Sequence, residues 1–162
     1  FLHQIYDSFW DLLDSLQSPF AMTLSSGLDG SSPGFHLFQS RQKGAEASVA
    51  GGAGYLVLRT GRGSLEKAMS GRRWTAQARN RQLARGLNVV GYPGGFPDGE
   101  DAEQLRRRSG AAFVVDSMAG EDGRGRFRIY VPGLTPSFPI SEGKAYLLSV
   151  PRATVLTLPG CE

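Results

Sequence analysis

The sequence predicts a mainly β protein made of two related small β-sandwich or barrel-like units in tandem, each carrying one short helix. Three observations predict it. With 22 Gly and 9 Pro among 162 residues, the chain is rich in turn formers, which favours short strands over a helical bundle. Its apolar runs are short, as at Ala111–Val115 and Tyr146–Leu148, and far below the roughly 20 residues of a membrane-spanning helix. The chain also resembles itself. A displacement of 93 residues sets Phe20 on Phe113, Gly27 on Gly120, Asp29 on Asp122, Gly30 on Gly123 and Leu12 on Leu105. One residue fewer then sets Phe35-His-Leu-Phe38 on Phe127-Arg-Ile-Tyr130. Further on, Val49 meets Ile140, and Gly52-Ala-Gly-Tyr-Leu-Val57 meets Gly143-Lys-Ala-Tyr-Leu-Leu148.

Each copy follows one plan. A helix comes first, at Phe9-Trp-Asp-Leu-Leu-Asp-Ser-Leu16 and at Ala102-Glu-Gln-Leu-Arg-Arg-Arg108. Leu12, Leu13 and Leu16 fall on one helical face. A strand follows at 20–24 and at 112–116. An Asp-Gly turn links it to a second strand, at 35–39 and 126–131; Gly accepts positive φ there and Asp tolerates it. A last strand is expected at 54–59 and 144–150, with another over 153–158. Only the second copy has a clear opening strand, Gly86-Leu-Asn-Val-Val-Gly-Tyr-Pro93, which Pro93 stops. In the first copy Phe1 to Tyr6 is the one candidate. The polar, Arg-rich stretch Ser70–Leu83 holds the boundary, which divides the chain into a first repeat at 1–75 and a second at 76–162.

The second copy resembles a β-rich module repeated in large secreted and cell-surface proteins of bacteria and archaea. The likeness rests on Gly86-Leu-Asn-Val-Val-Gly-Tyr-Pro93, a hairpin ending Tyr130-Val-Pro-Gly133, and Phe138-Pro-Ile-Ser-Glu-Gly-Lys-Ala-Tyr-Leu-Leu148. The usual outline is G-W-N-L-V-G-x-P, a hairpin, and G-x-G-Y-W-V. Residues 86–160 carry the resemblance, and 9–60 follow more loosely through Gly52-Ala-Gly-Tyr-Leu-Val57. Leu87 stands where Trp is usual and Ala145 where the second Gly is usual. The resemblance implies an extracellular or cell-surface location and a structural or adhesive role. The signature residues suit scaffold duties: Asn88 to bond nearby backbone, Gly52, Gly54 and Gly143 for close approach or positive φ, and Tyr55 and Tyr146 to bury a ring.

Chemistry finds little purchase. There is no Gly-x-Ser-x-Gly elbow, and Ser25, Ser26 and His36 read as turn serines and a strand histidine. Glu100, Asp101 and Glu103, following Pro97-Asp-Gly99, read as favourable charge at a helix N-terminus rather than a glycosidase pair. Asp29-Gly30 and Glu121-Asp-Gly123 lack calcium-loop spacing, and Gly61-Arg-Gly-Ser64 lacks the Lys of a phosphate loop. Neither catalytic, cofactor nor metal residues are expected. Arg72, Arg73, Arg79, Arg81 and Arg85 with Trp74, and Arg106, Arg107 and Arg108, invite nucleic acid, but a net charge of +3 argues against it. Trp10, Trp74, Tyr92, Phe96 and Tyr130 are candidates for a sugar-stacking face or for core. One Cys, Cys161, excludes an internal disulfide framework. The chain opens Phe-Leu-His-Gln and reads as a piece of something longer.

The expectation is a non-catalytic extracellular structural or adhesive module, with protein partners or self-assembly into a surface assembly or filament. The alternative is a carbohydrate-binding module. The first copy's missing strand leaves a sheet edge that Phe1 to Tyr6, the other half, or a neighbouring subunit must complete.

Overall fold

A computed structural model describes residues 13–14, 16–18, 20–25, 34–39, 54–58, 60, 80–92, 99–119 and 125–158. The protein is mainly β, with several antiparallel sheets and, among the described residues, one full helix. Strands β1 (Phe20–Ser25), β2 (Gly34–Gln39) and β3 (Leu56–Leu58) form one sheet in the order β2-β1-β3. Beyond them come β4 (Asn80–Leu83), β5 (Gly86–Gly91), β6 (Glu100–Asp101), helix α1 (Ala102–Ser109), β7 (Phe113–Ala119), β8 (Gly125–Tyr130), β9 (Pro139–Ile140), β10 (Ala145–Val150) and β11 (Thr154–Thr157). The second sheet runs β5-β10-β7-β8, and the two-stranded pairs β4–β11 and β6–β9 accompany it.

The core of this second region follows from alternation. Along β10 every second side chain is buried, so Tyr146, Leu148 and Val150 share one face. Register places Tyr146 between Val90 and Asp116, and Leu148 between Asn88 and Val114. Against that face pack Ala102 and Leu105 of α1, with Leu83, Tyr92, Ile140, Leu156 and Leu158. The opposite face carries a row across four strands, Val89, Leu147, Val115 and Ile129.

Helix α1 has clear ends. Asp101 Oδ1 accepts from Gln104 N while the Gln104 side-chain oxygen accepts from Asp101 N, closing a capping box. At the other end Gly110 has φ 66° and donates to Arg107, and Ala111 N donates to Arg106. The same ending occurs earlier in the chain. Gln17 has φ 53° and donates to Asp14, and Ser18 N donates to Leu13. These are the same positions under the 93-residue displacement.

The sheets correspond in order and register. Ala21 pairs with Phe38 as Val114 pairs with Tyr130, and Thr23 pairs with His36 as Asp116 pairs with Arg128. On the other side Ala21 pairs with Val57 as Val114 pairs with Leu148, and Phe20 with Leu58 as Phe113 with Ser149. One local bond is exchanged for another. Ala112 N donates to Ser149 O at 2.6 Å. Pro19, which the 93-residue displacement aligns with Ala112, has no N–H to give, and the Ser18 hydroxyl donates to Leu58 O.

The two sheets touch. β1 lies against β5 without a ladder between them. A methyl group on Gly54 would meet Val89 Cγ1 at 2.3 Å and Ala145 Cβ at 2.8 Å, so only glycine fits. Ala145 is the position that corresponds to Gly54.

One sequence expectation needs adjustment. Part of the Ser70–Leu83 stretch is strand: Asn80–Leu83 is β4, paired with β11. Glu100, just ahead of the helix, lies in β6, opposite Ile140. Phe1 to Tyr6, most of Phe9–Leu16, Val49 and Gly52 lie outside the described residues.

Candidate functional site

The charged residues gather at the head of α1. Gly99, Glu100, Asp101, Gln104, Ser137 and Phe138 line an open cleft of about 450 Å³. Each carboxylate there is engaged. Glu100 is buried in β6, with Arg108 Nε 2.7 Å from Oε1 and Arg108 Nη2 donating to Oε2 at 3.0 Å. Burial pushes its carboxyl above the usual range, and the same burial, with Glu100 beside it, raises the Tyr92 hydroxyl. Asp101 caps the helix. Glu103 is clamped: Arg106 donates at 2.7 Å, Arg107 at 2.6 Å and the Tyr130 hydroxyl at 2.8 Å. These donors hold its carboxyl down at about 2. Spacing explains the grip, because residues three and four apart share a helix face.

A second cluster crosses the sheet. Asp116 is fully buried on β7. Arg128, its register partner on β8, approaches within 2.7 Å, and Lys144 within 3.2 Å. The Arg128 guanidinium also lies 4.2 Å from the Phe138 ring centre. A buried carboxylate demands such partners. Both cations remain partly exposed, so the cluster ties the β7–β8 hairpin to the β10 approach without sealing charge inside.

Cations hold Glu100, Glu103 and Asp116, and a backbone N–H holds Asp101. Among the described residues no group of three His, Cys, Asp or Glu is disposed to hold a metal ion.

The residues singled out in the sequence fall as follows. Asn88 is buried; its amide donates to Ala84 O and Gly86 O, and its carbonyl accepts from Ala84 N. It thus fixes the turn between β4 and β5. Tyr146 buries its ring, while its hydroxyl accepts from Ser141 N at 2.7 Å. Gly143 has φ 77°, and Gly54 is the tight contact between sheets. Tyr92 and Tyr130, candidates for a sugar-stacking face, are buried; Tyr92 meets Tyr146 edge-on with ring centres 6.3 Å apart. Arg106, Arg107 and Arg108 are occupied by Glu103 and Glu100. Arg81 is half-buried on β4 and Arg85 is exposed. Ser25 and His36 sit on neighbouring strands two register steps apart. Ser26, Asp29, Gly30, Gly61–Ser64, Arg72, Arg73, Trp74, Arg79, Phe96, Glu121–Gly123, Trp10 and Cys161 lie outside the described residues.

Two features were missed in the sequence. Asp116 hides as one charge in Phe113-Val-Val-Asp-Ser-Met; its opposition to Arg128 was implicit in the hairpin alignment. Thr135 closes the outer edge of β8, donating to Ile129 O and accepting from Val131 N, each at 2.8 Å. No family model, curated protein or solved structure matches the chain.

Proposed function

We propose that the protein is a non-catalytic structural or adhesive module of an extracellular surface, built from two copies of one β unit divided near residue 76. The observation that carries this reading is the use of charge. Glu100, Asp101, Glu103 and Asp116 all serve caps or ion pairs inside the scaffold. The two-copy reading is supported by the matched strand order, the matched register and the matched left-handed positions Gln17 and Gly110. Exposed apolar side chains on strands, Phe127, Ile129, Leu58 and Val155, favour a protein partner. The likeness of Gly86–Pro93 and Phe138–Leu148 to modules of secreted and cell-surface proteins supports the extracellular reading.

A carbohydrate-binding role is the second reading. It is favoured by the cleft at the head of α1, where Asp101, Gln104 and Ser137 offer polar groups. Antibody raised against the chain tests the first reading on intact producing cells. Labelling without permeabilisation is expected, and labelling only after permeabilisation contradicts it. A glycan array separates the two readings: saturable binding lost in Gln104→Ala and kept in Ile129→Ser favours the sugar.

A further inference from the structure

Among the described strands β8 ends the second sheet, with β7 as its ladder partner. The hydrogen-bonding groups of a strand alternate from one side to the other, so every second residue of β8 turns its N–H and C=O away from β7. The turn that follows the strand shows which residues these are. The Thr135 hydroxyl donates to Ile129 O and accepts from Val131 N, each at 2.8 Å. One side-chain oxygen thus stands where a neighbouring strand would bond, and alternation sets Phe127 facing the same way as Ile129.

The turn is built to hold that oxygen in place. Val131 O accepts from Leu134 N and from Thr135 N, each at 3.1 Å. Between them lie Pro132, whose ring fixes φ, and Gly133, whose φ of 74° suits glycine. Thr135 itself is exposed and adds nothing to the core cluster. Its bonds act on the edge of the strand and not on the packing beneath it.

The strand behind this contact is suited to pair with itself. Ile129 is 47% exposed and Phe127 66% exposed, and their spacing puts both on one face of β8. Two β8 strands meeting antiparallel about Ile129 would set Ile129 opposite Ile129 of the second copy and Phe127 opposite its Val131. Such a pair closes about a twofold axis, and apolar cross-strand neighbours stabilise it.

We propose that Thr135 is an autoinhibitory cap: by occupying Ile129 O and Val131 N it keeps β8 from pairing with β8 of a second copy of this chain. The inference goes beyond the proposed function and does not depend on the internal repeat. Removing the hydroxyl leaves an N–H and a C=O directed away from β7, and strand groups of that kind recruit another strand.

Thr135→Val keeps the shape of the side chain and removes the hydroxyl. Sedimentation of the whole chain over a concentration series is the assay. The native chain and Thr135→Ser are expected to remain monomeric where Thr135→Val dimerises, its Kd lower than any native association by at least about tenfold. One strand pair buries little surface, so that Kd should fall in roughly the micromolar to millimolar range. In a mixture of labelled and unlabelled Thr135→Val, intermolecular NMR contacts should join Ile129 to Ile129 and Phe127 to Val131. Adding Ile129→Lys should return the monomer, because the twofold then sets like charges opposite each other. A folded Thr135→Val that stays monomeric overturns the proposal. So does a dimer that Ile129→Lys leaves intact, since another surface would then be responsible, or a native chain that dimerises equally well, since nothing would then be guarded. Circular dichroism checks folding, with Thr135→Ala as the second variant; if both unfold, the hydroxyl serves the fold and the cap is likewise refuted.

Discussion

Gly54→Ala probes the joint between the two sheets. The added methyl would lie 2.3 Å from Val89 Cγ1 and 2.8 Å from Ala145 Cβ. Carbon atoms rest comfortably at about 3.5–4.0 Å, so both contacts must open. Val89 can turn its side chain, but Ala145 Cβ moves only with the β10 backbone. Overpacking costs about 1–3 kcal/mol, and the rigid Ala145 places this substitution in the upper half of that range. Val89→Ala removes the closer obstacle at a cost of about 1–2 kcal/mol for the lost burial. The double variant should therefore cost less than the sum of the singles by about 1 kcal/mol. Denaturant unfolding of the four proteins, compared by midpoint at constant slope, measures this. A cost for Gly54→Ala below about 0.5 kcal/mol, or strict additivity with Val89→Ala, would refute the packing argument.

Three further outcomes are expected. Asn88→Ala removes three bonds to the turn at Ala84 and Gly86 and should destabilise the protein by about 2 kcal/mol in the same unfolding assay, while Asn88→Ser should recover part of it. Gln17→Gly should stabilise by about 0.5–1 kcal/mol, because a side chain at positive φ is strained where Gly110 is not; thermal unfolding measures it, and a loss would contradict the shared cap geometry. Carboxyl titration by NMR should find Glu103 near 2 and Glu100 above 4.5. The signs then oppose: stabilisation from Glu103 is complete above its unfolded value of 4.5 and is lost as pH falls through about 2, whereas protonation of buried Glu100 relieves a cost as pH falls through its raised value. Glu103→Gln should flatten the acid-side loss and Glu100→Gln the acid-side gain.

Much of the fold was legible because local chemistry and tertiary role agree. Gly86-Leu-Asn-Val-Val-Gly became β5, Ala102–Arg108 became a helix one residue longer, and the strands expected on either side of each Asp-Gly pair became antiparallel neighbours. β4 was not legible, since only Leu83 of its four residues is buried and the rest reads as polar linker. The two-residue strands β6 and β9 are too short for any period to register. At the candidate site, the acidic character near residue 100 was visible but its roles were not. Glu100, Asp101 and Glu103 look alike in sequence; burial in β6, a cap and a triple clamp tell them apart. The charge of Asp116 amid apolar residues becomes intelligible only once Arg128 and Lys144 are placed beside it.

The most direct test of the repeated unit is cross-strand NMR contact mapping in the first sheet. Contacts joining Thr23 to His36 and Ala21 to Val57 are predicted, matching those of Asp116 to Arg128 and Val114 to Leu148. A first sheet with β3 beside β2, or with its register slipped by one residue, would contradict the account.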